Sequence, residues 1–349
     1  MLFNKFTISV TRGGCLDTPK IWSIFLPKVS IVCPCFNEAK NLPILHQRIE
    51  TVMEGTDVHW QLIVVDDHST DDGFGELERL AKADNRIVAV RLARNVGSHM
   101  AIICGLEFVT GDCTVVMASD LEDPPEVLPQ FLEQWRAGHK VVWGAREQRQ
   151  DKSKFYVFFA NLYHRFAQNV VGLKGIPATG VDFFLMDGEV VKMVRQFKDK
   201  NITLFALVAW LDQDSAVIHY TKDTRLHGQS GWTLAKRLTL VLDTLLNFSH
   251  TPIRVMGLLG LFMSIAGAIY GLEVLFNAYF GNPPAGWSAL MIIVLIIGGT
   301  QMMMIGVLGE YLWRTLEETR SRPRYLFERI VSESPIGRAD MPNSESSKQ

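Results

Sequence analysis

Two acidic clusters hold the side chains with an evident capacity for chemistry. The first is Val65-Asp66-Asp67-His68-Ser69-Thr70-Asp71. The second is Val116-Met117-Ala118-Ser119-Asp120-Leu121-Glu122-Asp123-Pro124-Pro125. Carboxylates in such a set can hydrogen-bond a base or a ribose, or hold a divalent cation against a diphosphate. A hard cation with oxygen ligands that retains waters suits Mg²⁺ or Mn²⁺. Its charge would offset that of a departing nucleoside diphosphate. Either cluster taken singly reads as a helix N-cap or a solvated turn, and Asp123 before Pro124 fits an N-cap. The two in order are far more specific than either alone.

These residues need elements to hold them, and the flanking pattern supplies a strand–helix alternation from Val29. Strands are expected at Val29–Cys33, Gln61–Val65, Arg86–Leu92, Thr114–Met117 and Lys140–Trp143. Helices are expected at Ala39–Met53, Asp72–Ala83, Gly97–Val109 and Pro124–Trp135, the last opened by two prolines that suit a first turn. Apolar strands separated by single helices indicate a mostly parallel sheet covered on both faces. Ligands bind beyond the carboxyl ends of such strands, which is where the acidic clusters fall. Past residue 150 the pattern loosens. Strands are expected at Val181–Met186 and Ala216–Tyr220, and amphipathic helices at Lys154–Val171 and Trp232–Phe248.

The composition changes near residue 250. Val255–Leu272 gives 18 residues without a charge and Trp287–Gly309 gives 23, each near the ~20 residues that cross a bilayer. Lys236, Arg237 and Arg254 precede the first stretch, and Arg314, Arg320, Arg322 and Arg324 follow the second. The Asn277–Gly286 connection has no Lys or Arg. The positive-inside rule then puts both ends in the cytoplasm, in a plasma (inner) membrane protein of two spans. The helix before the first span is read as lying in the membrane interface.

The whole chain has 349 residues and a net charge of −2, which gives no footing for a nucleic-acid surface. Its five cysteines are odd in number and lack zinc-finger spacing. Cys33-Pro34-Cys35 flanks a buried strand end, where cysteine acts as a small hydrophobe. Free thiols suit a reducing compartment. The division expected is an extension over 1–27, an α/β catalytic domain over 28–230, an interfacial helix over 231–250, two membrane helices over 251–313 and a cytoplasmic tail over 314–349.

From residue 29 to about 325 the chain resembles the inverting family-two glycosyltransferases, in the branch that makes polyprenyl-phosphate sugars and includes dolichyl-phosphate mannose synthase and the bacterial GtrB-type enzymes. The matching segments are Val29 to Glu38, Asp66-Asp67, Arg94-Asn95-Val96-Gly97, Asp120 to Pro125, Gly144-Ala145-Arg146, Val181 to Leu185 and Arg225 to Ser230. The resemblance implies a GT-A fold, a Rossmann-like mostly parallel sheet, and transfer of one sugar from a UDP-sugar to undecaprenyl or dolichyl phosphate. Glucose is the sugar expected, and a homo-oligomer is implied. At matched positions it implies that Pro34, Phe36, Glu38, Val65 and Asp67 cradle the nucleoside, and that Ser119, Asp120 and Glu122 bound the diphosphate and metal. Arg146 would meet the acceptor phosphate and Arg225 the donor diphosphate, tasks that suit a planar bidentate fork. Asp182 is the candidate for the base or acceptor-orienting role.

Two positions depart from the pattern. Ala118 stands where the family usually has an acidic residue, and Glu122 where it usually has Gln. Glu122 thereby restores the carboxylate missing at 118, leaving Asp120 and Glu122 as the expected metal ligands. The rival readings are a processive polysaccharide synthase, which lacks support because no Gln-x-x-Arg-Trp motif is present, and an inactive membrane-anchored nucleotide-sugar-binding subunit, suggested by Ala118.

Overall fold

The computed structural model describes residues 26–147, 182–197, 203–211, 213–223, 251–280, 286–320 and 322–333. The expected helices at Lys154–Val171 and Trp232–Phe248, together with Arg225, lie outside these residues. Eight strands form one sheet: β1 (Lys28–Cys35), β2 (His59–Asp66), β3 (Ile87–Leu92), β4 (Cys113–Val116), β5 (Val141–Arg146), β6 (Phe184–Asp187), β7 (Ser215–Tyr220) and β8 (Phe327–Val331). Their order is β7-β5-β6-β4-β1-β2-β3-β8. The block β4-β1-β2-β3 is parallel, as is β5 with β7. β6 runs against both of its neighbours and β8 runs against β3. The carboxyl ends of β1 to β5 and β7 therefore share one edge with the amino end of β6. This places Cys35, Asp66, Val116, Arg146, Tyr220 and the approach to Phe184 along a single rim.

Helices cover both faces, so the central strands carry apolar residues at consecutive positions. On one side α1 (Leu42–Glu54), α2 (Gly73–Ala83) and α4 (Leu128–Arg136) bury Leu45, Leu77 and Phe131 against Ile31, Leu62 and Val115. On the other, α3 (Ser98–Leu106), α5 (Gly188–Gln196) and α6 (Leu204–Trp210) bury Ile103, Val190 and Leu207 against Val32, Ile63 and Val65. Each large apolar side chain so enclosed contributes roughly 1.5–3 kcal/mol. α3 lies unusually close to the sheet. A Cβ at Gly105 would come within 2.5 Å of Val32 Cγ1 and 3.1 Å of Val65 Cγ2.

The two prolines before α4 form a short 3₁₀ turn, Pro125–Val127, ahead of the helix proper. Two long helices follow the sheet domain: α7 (Thr251–Tyr279) and α8 (Trp287–Thr319). Ile253–Asn277 in α7 has a mean hydropathy of 1.9 and none of its apolar window is buried. At about 1.5 Å per residue this stretch exceeds the ~30 Å of a bilayer core. Among the described residues it is the one helix long and apolar enough to cross a membrane. The segment expected as a tail from 314 is partly structured. α8 continues to Thr319, and Phe327–Val331 returns to the sheet as β8.

Candidate active site

Three non-glycine residues near the strand ends adopt positive φ: Asn37 (60°), His68 (59°) and Leu121 (61°). Such backbone costs of order 1–3 kcal/mol per residue and persists where surrounding contacts enforce it. Here those contacts knit the loops together. Asn37 N donates to Ser69 Oγ at 2.9 Å, and Asn37 Oδ1 accepts from Thr70 N at 2.8 Å and Thr70 Oγ1 at 3.1 Å. Ala39 N donates to Asp71 Oδ2 at 3.1 Å. Glu38 accepts a bond from Asn41 Nδ2. Ser119 Oγ donates to Pro34 O at 2.8 Å, tying the β4 loop to β1. Above this lattice the Phe36 ring stands 45 % exposed, free to face a planar base.

Asp67 holds the loop after β3. Its two carboxylate oxygens accept from Val96 N at 2.7 Å and Gly97 N at 2.8 Å, with Gly97 at φ 91°. Burial pushes its pKa up, against those two bonds. Asp66 is fully buried; it accepts from Ser69 N at 3.1 Å and lies 3.2 Å from Arg91 Nη1. Burial raises its pKa, the Ser69 bonds and Arg91 opposing. Thus Asp67, expected to touch a nucleoside, has its carboxylate engaged by backbone. Val65, expected in the same role, packs its side chain into the core beneath α3, leaving only its backbone at the rim.

The second acidic cluster forms the neighbouring wall. Asp120 Oδ1 accepts from Glu122 N at 3.2 Å. Glu122 pairs with Lys222, and its carbonyl accepts from Asp223 N at 2.9 Å. Asp123 is not the N-cap its sequence setting suggested. Pro124 occupies that position, and the Asp123 carboxylate turns inward, 1 % exposed, to accept from Tyr220 Oη at 2.6 Å. Burial raises its pKa, with the Tyr220 bond opposing, and its other oxygen has no hydrogen-bond partner among the described residues. Beside it, Arg146 Nη2 lies 2.5 Å from Asp182 Oδ2. Burial works against the charged guanidinium, but the Asp182 and Asp123 carboxylates prevail and raise its pKa. Arg146 is fixed by its frame. Gly144 N donates to Phe183 O at 2.9 Å, and a Cβ at Gly144 would stand 2.8 Å from that oxygen. Phe183 packs against both Phe131 and Tyr220.

The rim therefore brings together Pro34, Phe36, Glu38, Asp67, Ser119, Asp120, Glu122, Arg146 and Asp182. Asp120 and Glu122 are carboxylates of the kind a hard cation takes, though Glu122 is paired here with Lys222. A different trio, His46, Glu50 and Asp84, also has ligand atoms within mutual reach. It lies at the far end of the helices, where Arg86 already supplies the positive charge to Glu50 and Asp84. Sequence reading passed over Tyr220 and Lys222. The strand-end rule that selected Asp66 would have selected Tyr220, the last residue of an expected strand.

The family model for glycosyl transferase family 2 matches residues 30–195. The uncharacterized glycosyltransferase YkcC of Bacillus subtilis is 32 % identical over 86 % of this chain and 93 % of its own length. The bactoprenol glucosyl transferase of Shigella phage SfX is 32 % identical over 86 % of this chain and 99 % of its own. Among solved structures, glucosyl-3-phosphoglycerate synthase from Mycobacterium tuberculosis with Mn²⁺ and UDP-glucose aligns with a TM-score of 0.45 at 16 % identity, covering 63 % of this chain and 77 % of that one.

Proposed function

We propose a function from one premise: the chain belongs to glycosyl transferase family 2 and is a glycosyltransferase. The reaction is inverting transfer of one sugar, glucose, from a UDP-sugar to a polyprenyl phosphate at the cytoplasmic membrane face. The observation that carries this reading is the Arg146–Asp182 pair standing on the same rim as the Asp120–Glu122 loop, in a chain that continues into an exposed apolar helix. One wall suits a nucleoside diphosphate and the other suits a second phosphate. The phage relative's name, bactoprenol glucosyl transferase, supports both the lipid and the sugar.

A phosphate monoester with a second pKa near ~6 is already largely dianionic at pH 7, so it needs little help from a base. Positioning is the larger task. Arg146 would grip the acceptor phosphate in line with the anomeric carbon, and Asp182 would hold the guanidinium fork in the plane that two phosphate oxygens require. Tyr220 and Asp123 brace this arrangement from below. Phe36 would face the base, with Pro34, Glu38 and Ser119 around the nucleoside. Arg225 is assigned to the donor diphosphate on the resemblance alone. Asp120 and Glu122 would hold Mg²⁺ or Mn²⁺, which supplies charge stabilisation to the leaving diphosphate when bound. α7 and α8 would anchor the rim at the depth of lipid headgroups.

The test is a product assay. Purified protein in detergent receives Mn²⁺ or Mg²⁺, undecaprenyl phosphate and a panel of labelled nucleotide sugars. A single chloroform-soluble labelled product is expected, and Asp120→Asn should abolish it while the protein stays folded. Nucleotide-sugar binding with no lipid product from any donor would point instead to an inactive subunit, with Ala118 as the cause. A polymeric product would indicate a processive synthase.

A further inference from the structure

β8 is the first part of the chain to rejoin the sheet after α8, and it lands on the edge beside the nucleotide-side loops. Its register sets Arg91 opposite Arg329 and Leu92 opposite Phe327. Glu328 lies between them, and Glu328 Oε2 accepts from Arg91 Nε at 3.1 Å. The same Arg91 extends the other way. Its Nη1 lies 3.2 Å from the buried Asp66 carboxylate, its Nη2 donates to Ser69 O at 3.3 Å, and its guanidinium lies 5.4 Å from the Phe74 ring centre. Ser69 in turn receives the Asn37 amide. Glu328 also stands 3.4 Å from His68 Nδ1, the residue that turns the loop at positive φ. A chain of contacts thus runs from β8 through Arg91 to Asp66, Ser69 and Asn37.

Arg91 could bond Asp66 and Ser69 without β8. Its side chain is 21 % exposed, however, and its Nε would then face water. Glu328 fills that position and fixes the fork in one orientation. Glu78, on α2, makes a second ion pair with β8, to Arg329 at 2.6 Å, whereas the β8 partner of Arg91 is Glu328. The two pairs therefore separate docking of the strand from orientation of Arg91.

We propose that Glu328 and Arg91 are positioning residues for the donor side of the site. The strand that follows the membrane helices clamps the 66–71 loop and thereby sets nucleotide affinity. This rests on the reading of that loop as the nucleoside wall. Glu328 is 47 % exposed, so the effect is modest, as for surface ion pairs generally.

Full-length Glu328→Gln and Glu78→Gln are compared with the parent protein by hydrogen exchange without ligand, by UDP titration with Mn²⁺, and by steady-state kinetics. Glu328→Gln is expected to speed amide exchange at residues 68–71 and to weaken UDP binding about three- to fivefold. KM for the donor should rise by the same factor while kcat holds. Glu78→Gln should leave exchange at 68–71 and UDP affinity as they were. Unchanged exchange in Glu328→Gln, or equal effects of both variants, overturns the clamp. Faster exchange with unaltered UDP affinity overturns the link to the donor. If the parent protein fails to bind UDP at all, the nucleotide reading fails while the exchange comparison still tests the clamp.

Discussion

Arg146 ends β5 and Asp182 lies two residues before β6 begins, and the pair meets at 2.5 Å because those two strands run in opposite directions. A shorter or rounder cation cannot reproduce the geometry. Arg146→Lys is expected to lower turnover about 100-fold and to leave UDP affinity unaltered. Parallel measurement of lipid-linked product and of UDP binding decides it. Equal losses in both would move Arg146 to the donor side.

Glu122 is paired with Lys222, so a metal ion must share or replace that partner. Lys222→Met should remove the competing ammonium and lower the metal concentration for half-maximal activity by threefold or more, the upper range of a partly exposed pair. A Mn²⁺ titration of activity tests this. No change would leave Asp120 as the sole carboxylate ligand.

Burial pushes the Asp84 carboxyl up, but bonds from Arg86 and His46 outweigh it and hold the group at about 2, below its ordinary 3.8. A carboxyl with a depressed folded-state pKa stabilises the protein above its unfolded value, and that contribution fades as pH falls through the folded value. Asp84→Asn should therefore cost on the order of 1–2 kcal/mol at neutral pH. The gap to the parent should close as pH drops from 3.8 towards about 2. Denaturant unfolding at stepped pH measures it; a constant gap would mean the charge is irrelevant.

Gly105→Ala places a methyl group 2.5 Å from the Cγ1 of fully buried Val32. Valine has no flexible end to swing aside, so α3 must lift. A loss of about 1–3 kcal/mol in unfolding free energy is expected. Because α3 begins next to the Val96-Gly97 amides that Asp67 grips, the same variant should weaken UDP binding.

The central sheet was legible because strands buried on both faces read as apolar runs, each followed by an amphipathic helix. Asp66 and Asp120 could be found because ends of parallel strands are the places where such sheets bind ligands, whereas Arg146, three residues past its expected strand, was reached only through the family resemblance of Gly144-Ala145-Arg146. Other features depended on contacts between residues far apart in the chain. Asp123 followed by two prolines is locally an N-cap, and only Tyr220, 97 residues on, draws its carboxylate inward. β8 is five residues long with two charges, too short for a periodicity, and its partner Arg91 is 237 residues from Glu328. The reversed direction of β6 has no signature in composition at all.

The sheet also constrains how the chain is routed through a bilayer. β7 ends at Tyr220 and β8 begins at Phe327, and both belong to one rigid sheet that can occupy only one side of a membrane. A path that departs and returns to the same side must cross an even number of times. If α7 crosses, a second crossing is obligatory, and α8 is the long helix placed to make it. The membrane segment is then an excursion inside the catalytic domain. A soluble version would require splicing the chain from beyond β7 to just before β8, since truncation ahead of α7 would also remove an edge of the sheet.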